Sequence, residues 1–116
     1  MGSSSSKVDA MAAQDAGSLV EKLVEEHAVM VFSKSYCPYC KLAKEVLTKE
    51  GAKFHAIELD KRDDGNAIQN ALLKLTGQKT VPNVFVGGKS IGGGSETKAL
   101  SQSGELKKKL VAAKAL

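Results

Sequence analysis

The stretch "AVMVFSKSYCPYCKLAKEVL", residues 28–47, decides how this chain folds. Ala28 to Ser33 form a short apolar run rich in β-formers, which reads as a strand buried on both faces. Beyond Cys37, Pro38 occupies a natural first helical position. Cys40, Ala43, Val46 and Leu47 then recur at helical spacing, while Lys41, Lys44 and Lys49 face outward. Gly51 supplies the stop, and "KFHAIEL", 53–59, alternates as a second strand. Residues 28–59 are thus expected to form a βαβ unit with parallel strands and a right-handed crossover.

The same reading extends in both directions. Upstream, "SLVEKLVEEH" offers Ser18 and Glu21 as a capping box, with Leu19, Val20, Leu23 and Val24 on one stripe of a helix starting at Ser18. Downstream, "DDGNAIQNALLKLTG" predicts a helix capped by Asp64 or Asn66, ended by Gly77, with Ile68, Leu72 and Leu75 on its inner face. "VPNVFVGGKSIGGG", 81–94, contains two extended runs, Asn83–Val86 and Lys89–Ile91, joined across Gly87 and Gly88 as a hairpin. The remainder, from Ser95, reads as helix with a break at Gly104 and an apolar stripe through Leu106, Leu110 and Ala113. The expected fold class is α/β: one four-stranded mixed sheet, two parallel strands plus an antiparallel hairpin, flanked by helices.

Length and composition agree with one such domain. The chain has 116 residues, 42% apolar and 26% charged, as in a soluble globular protein with a core. Residues 1–15, opening with the serine-rich "MGSSSSKVDA", read as a flexible tail without a secretory apolar segment, and the domain is expected over 16–116. The net charge of +4 comes largely from lysines interleaved with glutamates, and no aromatic platform accompanies Lys107–Lys109, which argues against nucleic acid as a partner. No apolar run is long enough to span a bilayer.

Cys37 and Cys40 are the only cysteines. One pair makes no disulfide framework, so a reducing intracellular compartment, the cytoplasm, is expected. Cys37 lies at a helix N-terminus, where unpaired amides, the positive end of the helix dipole and nearby Lys34 favour its thiolate. Cys40, one turn into the helix on its apolar side, is expected to stay a shielded thiol. The asymmetry makes Cys37 the attacking group and Cys40 the resolving one. Zinc would need two further ligands, and His27 and His55 stand at no recognisable metal spacing. A C-x-x-C after the first strand of a βαβ unit is the setting of thiol–disulfide chemistry.

"FSKSYCPYC", 32–40, and "IQNALLKLTGQKTVPNVFVGGKSIGG", 68–93, closely resemble the dithiol glutaredoxins of the CPYC type, within the thioredoxin superfamily, from about Ser18 onward. Thioredoxins normally carry a tryptophan before the first cysteine, and this chain has none. The resemblance implies a thioredoxin-like fold and a glutathione-dependent thiol–disulfide oxidoreductase that reduces protein–glutathione mixed disulfides and protein disulfides. Glutathione is then a co-substrate, regenerated through glutathione reductase, with no permanently bound cofactor or metal, and the protein is expected to be a monomer.

Residue by residue, the resemblance implies that Val81-Pro82 is a cis step whose Val81 backbone pairs with the cysteinyl part of glutathione. Lys34 and Gln78 match positions that hold the glycyl end, Tyr39 lines the groove, and Thr80 shapes the adjoining loop. Gly93, Gly94 and Ser95 lead into a helix whose free amides suit the γ-glutamyl carboxylate, and Glu96 matches a position that engages the ammonium. The chain departs from the family pattern at Gly94, where cysteine or asparagine is common, at Glu96, where aspartate is usual, and at Lys79, which replaces an arginine. A second reading, an iron–sulfur carrier holding a [2Fe–2S] cluster between two monomers through Cys37 and glutathione, is opposed by Pro38, because cluster-holding relatives have a smaller residue after the first cysteine.

Overall fold

The computed structural model describes residues 2–116, with side chains from Gln14 onward. The elements run α1 (Gly2–Glu26), β1 (Val29–Ser33), α2 (Pro38–Lys49), β2 (His55–Glu58), a 3₁₀ turn (Leu59–Lys61), α3 (Gly65–Thr76), β3 (Asn83–Val86), β4 (Lys89–Gly92), α4 (Gly94–Ser103) and α5 (Glu105–Ala112). The expectation of a flexible tail over residues 1–15 falls mostly outside the described side chains. The helix start expected at Ser18 is not found: α1 begins at Gly2, so Ser18 lies inside the helix and caps nothing. The alanine-rich, proline-free run ahead of it favours continuation, and an internal serine costs a helix little.

The sheet has the order β2-β1-β3-β4. β1 pairs with β2 in parallel, Met30 opposite His55 and Ser33 opposite Glu58, and with β3 antiparallel, Val31 opposite Val84. β3 and β4 close the hairpin, with an irregularity between Val84 and Phe85. Every residue of β1 is buried, as expected of a strand covered on both faces. Its alternation divides the core in two. Met30 and Phe32, with Phe85, face Val20, Val24, Ile68 and Leu72 of α1 and α3; Val29 and Val31, with Val84, face Ala43, Leu47, Leu106 and Leu110 of α2 and α5. Phe32 and Phe85 meet edge to face at 5.6 Å, the arrangement ring quadrupoles prefer.

Local signals account for the element ends. Gly77 and Gly104 take left-handed conformations, φ 79° and 84°, that end α3 and α4. Gly65, at the start of α3, lies so close to the 3₁₀ turn that a Cβ there would sit 2.0 Å from the Leu59 carbonyl oxygen. The inner stripe of α3 is shorter than its periodicity suggests. Ile68 and Leu72 are buried, but Leu75 is 53% exposed, in the last turn of the helix at the rim of a surface groove shared with Val20 and Ala71.

Candidate active site

Both thiols are held where the central strand hands the chain to α2. After Ser33 the backbone turns, the Cys37 N–H donates to the Lys34 carbonyl at 3.1 Å, and Cys37 becomes the extended N-cap of α2 (φ −91°, ψ 117°), with Pro38 opening the helix. The turn is tethered from the 3₁₀ turn that follows the neighbouring strand: Asp60 accepts from the Ser35 N–H at 2.9 Å and from the Ser35 hydroxyl. These hydrogen bonds, the hydroxyl's first, lower the Asp60 pKa from its ordinary value. Sequence reasoning missed Asp60. The signal was its place just beyond the carboxyl end of a strand parallel to β1, which sets it beside the end of β1.

The two cysteines are free and differ in their surroundings. The Cys37 sulfur is half-buried and accepts the Cys40 N–H at 3.2 Å, one of the amides that a helix leaves unpaired at its start. The Cys37 thiol faces the Val81 carbonyl at 3.7 Å. Cys40 is 1% exposed. Burial, aided by the hydrogen bond with Cys37, pushes its thiol up to about 11, against smaller opposing contributions from the Lys34 backbone N–H and the Ser33 hydroxyl. On that side of the site Ser33 donates to Glu58 at 3.2 Å, and Glu58 is paired with Lys44 of α2.

Opposite the thiols runs the segment after α3. Val81-Pro82 is cis, as the resemblance implied. The Gln78 side chain lies over this segment and donates to the carbonyls of Thr80 at 2.9 Å and Pro82 at 2.8 Å. A third wall comes from the start of α4. Gly93 is its extended N-cap; its N–H donates to the Glu96 carboxylate at 2.6 Å, and its carbonyl accepts the Thr97 N–H and hydroxyl at 3.0 and 2.8 Å. Gly94 permits close contact between α4 and α2, since a Cβ there would lie 2.6 Å from the Tyr39 carbonyl oxygen.

These walls enclose one open groove of about 310 Å³, lined by Tyr39, Gln78, Thr80, Val81, Pro82, Gly93, Gly94, Ser95 and Glu96. Every groove residue expected from the sequence except Lys34 therefore lines a single cleft whose Val81 carbonyl reaches the Cys37 thiol. Lys34 is half-buried before the cysteine turn and does not line the groove. His27 and His55 stack on each other at 4.2 Å, and among the described residues no three His, Cys, Asp or Glu gather as metal ligands. The free amides at the start of α4 give the groove one end suited to an anion, and the half-buried sulfur of Cys37 stands within reach of the Val81 carbonyl.

Comparison with known proteins agrees with this arrangement. The Glutaredoxin family model matches residues 29–91. A glutaredoxin of Ricinus communis is 54% identical over 86 residues, covering 74% of this chain and 84% of that protein. Glutaredoxin-C2 of Arabidopsis thaliana is 52% identical, covering 74% and 78% respectively. Among solved structures, the buckwheat glutaredoxin–glutathione complex superposes with a TM-score of 0.89 at 42% identity, covering 91% of this chain and 96% of that one. A wheat glutaredoxin gives 0.84 at 50% identity, covering 87% and 95%. Because the family model spans both thiols and the segment facing them, and the likeness holds in sequence and in backbone alike, this chain belongs to the glutaredoxin family.

Proposed function

We propose that this protein is a glutathione-dependent thiol–disulfide oxidoreductase in which Cys37 is the nucleophile, Cys40 the resolving thiol, and the groove the glutathione site. The observation that carries the reading is the position of the Cys37 sulfur at the rim of that groove, with the Cys40 amide behind it and the Val81 carbonyl in front. An anion on this sulfur is supported by the N–H it accepts and by the helix start on which it sits. Membership of the family, and the glutathione bound in the related buckwheat protein, support glutathione as the ligand.

The cycle is thiol–disulfide exchange. The Cys37 thiolate attacks the glutathione sulfur of a glutathionylated protein. A new S–S bond forms to Cys37, the bond to the protein breaks, and the protein's thiolate leaves and is protonated. A second glutathione thiolate then attacks the glutathione sulfur held on Cys37, releasing oxidised glutathione and restoring the Cys37 thiolate. With a protein disulfide, the mixed disulfide on Cys37 is opened instead by Cys40, leaving a Cys37–Cys40 disulfide that two glutathiones reduce.

In the groove, the Val81 backbone is assigned to the cysteinyl part of glutathione. Gly94 and Ser95 receive the γ-glutamyl carboxylate on the free amides of α4, beside the N-cap Gly93, whose own N–H is held by Glu96; Glu96 faces the ammonium, and Tyr39, Thr80 and Pro82 shape the walls. Lys34 stands outside the cleft as a cation for an approaching anion. Reduction of glutathionylated and disulfide-bearing proteins by a cytoplasmic monomer fed by glutathione reductase completes the reading, with the domain over 16–116, since Ala16 is packed in the core. Among the described residues no helix is long and apolar enough to cross a membrane. The test is turnover of a small glutathione mixed disulfide, coupled to glutathione reductase. Turnover that depends on glutathione and vanishes in Cys37→Ser is expected; an active Cys37→Ser protein would overturn the assignment.

A further inference from the structure

The segment from Lys79 to Pro82 has four backbone carbonyls, and each accepts a hydrogen bond from a side chain. Gln69 of α3 donates to that of Lys79 at 2.9 Å, Gln78 donates to those of Thr80 and Pro82 at 2.9 and 2.8 Å, and the fourth, of Val81, receives the Cys37 thiol. We propose that Gln78 is a positioning residue, which braces this segment through the Thr80 and Pro82 carbonyls so that Val81 is held in register with Cys37, and that it is not a ligand of glutathione's glycyl carboxylate. The inference rests on the functional reading above and assigns this residue a different task within it.

The chemistry of the amide carries the argument. Its NH₂ group has two hydrogens, and both carbonyls on which it converges are acceptors, so the nitrogen must face them. What remains for a ligand is the side-chain oxygen, an acceptor. A carboxylate is also acceptor-only when ionised, so the two have no hydrogen to share, and binding one would mean surrendering at least one of the bonds to the segment.

The brace is itself anchored. The Gln78 N–H donates to the Thr76 hydroxyl at 3.1 Å, and that hydroxyl donates to the Leu72 carbonyl at 2.8 Å. Asn83, fully buried at the start of β3, donates its side-chain amide to the same hydroxyl at 3.1 Å and accepts from the Ser90 hydroxyl at 2.7 Å. Gln78 therefore joins the end of α3, the hairpin and the segment facing the thiol. The network is part-buried around the fully buried Asn83, and polar networks hold one conformation when every member is satisfied.

The test crosses enzyme variants with substrate truncation. Reduced wild type, Gln78→Ala and Gln78→Glu are reacted in single turnover with the mercaptoethanol mixed disulfide of glutathione and with that of γ-glutamylcysteine, which lacks the glycine. Loss of a brace should slow Gln78→Ala by about five- to tenfold on both substrates, the size expected for one to two lost hydrogen bonds. In parallel, NMR order parameters at Thr80 and Val81 should drop in Gln78→Ala. A loss confined to the glycine-bearing substrate, no loss on either, or unchanged order at Thr80 and Val81 would each overturn the proposal. A wild type inert toward both substrates would instead sink the functional reading, while the relaxation measurement still decides the brace.

Discussion

Raising the pH of the reduced protein above 9 should cost stability through Cys40. The thiol is 1% exposed, and burial, with the Cys37 contact, moves its pKa from the ordinary 9.0 up to about 11. An acid whose pKa is raised by folding stabilises the native state fully below its unfolded value. Above that value the unfolded chain releases the proton first, and the contribution is lost as the pH climbs through the folded value. With these two limits, the loss is on the order of 1 kcal/mol at pH 10 and about 2 kcal/mol at pH 11. Cys40→Ala removes the titrating group but leaves the tyrosines and the lysines in place, so subtracting the variant from the wild type isolates the buried thiol together with its contact to Cys37. The assay is urea unfolding of both proteins, reduced and under argon, at pH 8, 9 and 10. The stability difference should shrink by about 1 kcal/mol between pH 8 and pH 10. A difference that stays constant across that interval refutes the claim that burial holds this thiol neutral.

Cys37→Ser should abolish action on a glutathionylated peptide and on a protein disulfide, whereas Cys40→Ser should keep the first and lose most of the second; equal inactivation on the peptide would leave an obligate dithiol enzyme. Gly94→Ala must push α4 from the Tyr39 carbonyl, costing about 1–3 kcal/mol, and should raise KM for a glutathione mixed disulfide; unchanged thermal stability and KM would contradict the close approach. Gly65→Ala, whose Cβ meets the Leu59 carbonyl, should destabilise by about 3 kcal/mol or more, while Gly17→Ala, with open space around it, should stabilise α1 by about 0.5–1 kcal/mol; thermal midpoints moving alike would defeat this reading. Because hydrogen bonds from Ser35 lower the Asp60 pKa, their tether is present above the ordinary carboxyl pKa and is released as the pH falls through the lowered value. The Ser35 amide resonance should follow that titration and should stop doing so in Asp60→Asn.

Punctuation made much of the architecture legible in advance. Pro38, Gly51, Gly77 and Gly104 each act through backbone preferences that are local, so the starts and stops they mark fall close to where the chain places them. The pairing of two hydrophobic runs with a helix between them required β1 and β2 to lie parallel, and the spacing of Cys37 and Cys40 put one sulfur at the cap and the other inside the helix. Contacts made by residues far apart in sequence were not legible. Asp60 reaches Ser35 only through the register of β1 against β2, and Gly94 reaches Tyr39 only when α4 is laid on α2. Gln78 shows the same limit at the site: its position marked it as part of the groove, but the direction of its amide depends on where the following carbonyls point. Ser18 misled because a capping sequence is also tolerated inside a helix, and Leu75 because its periodicity carried past the end of the packed face.

The complete burial of β1, bonded on one side to a parallel strand and on the other to an antiparallel one, has a mechanical consequence for the chemistry at its end. In native-state hydrogen exchange the amides of such a strand open last, close to the free energy of global unfolding, whereas frayed ends and loops open readily. Cys37 is four residues from that strand and tied back to it through the Lys34 carbonyl. The Cys37 sulfur is therefore mounted on the stator of the molecule. The proposed redox cycle, which only makes and breaks sulfur–sulfur bonds, can run there without any element swinging open.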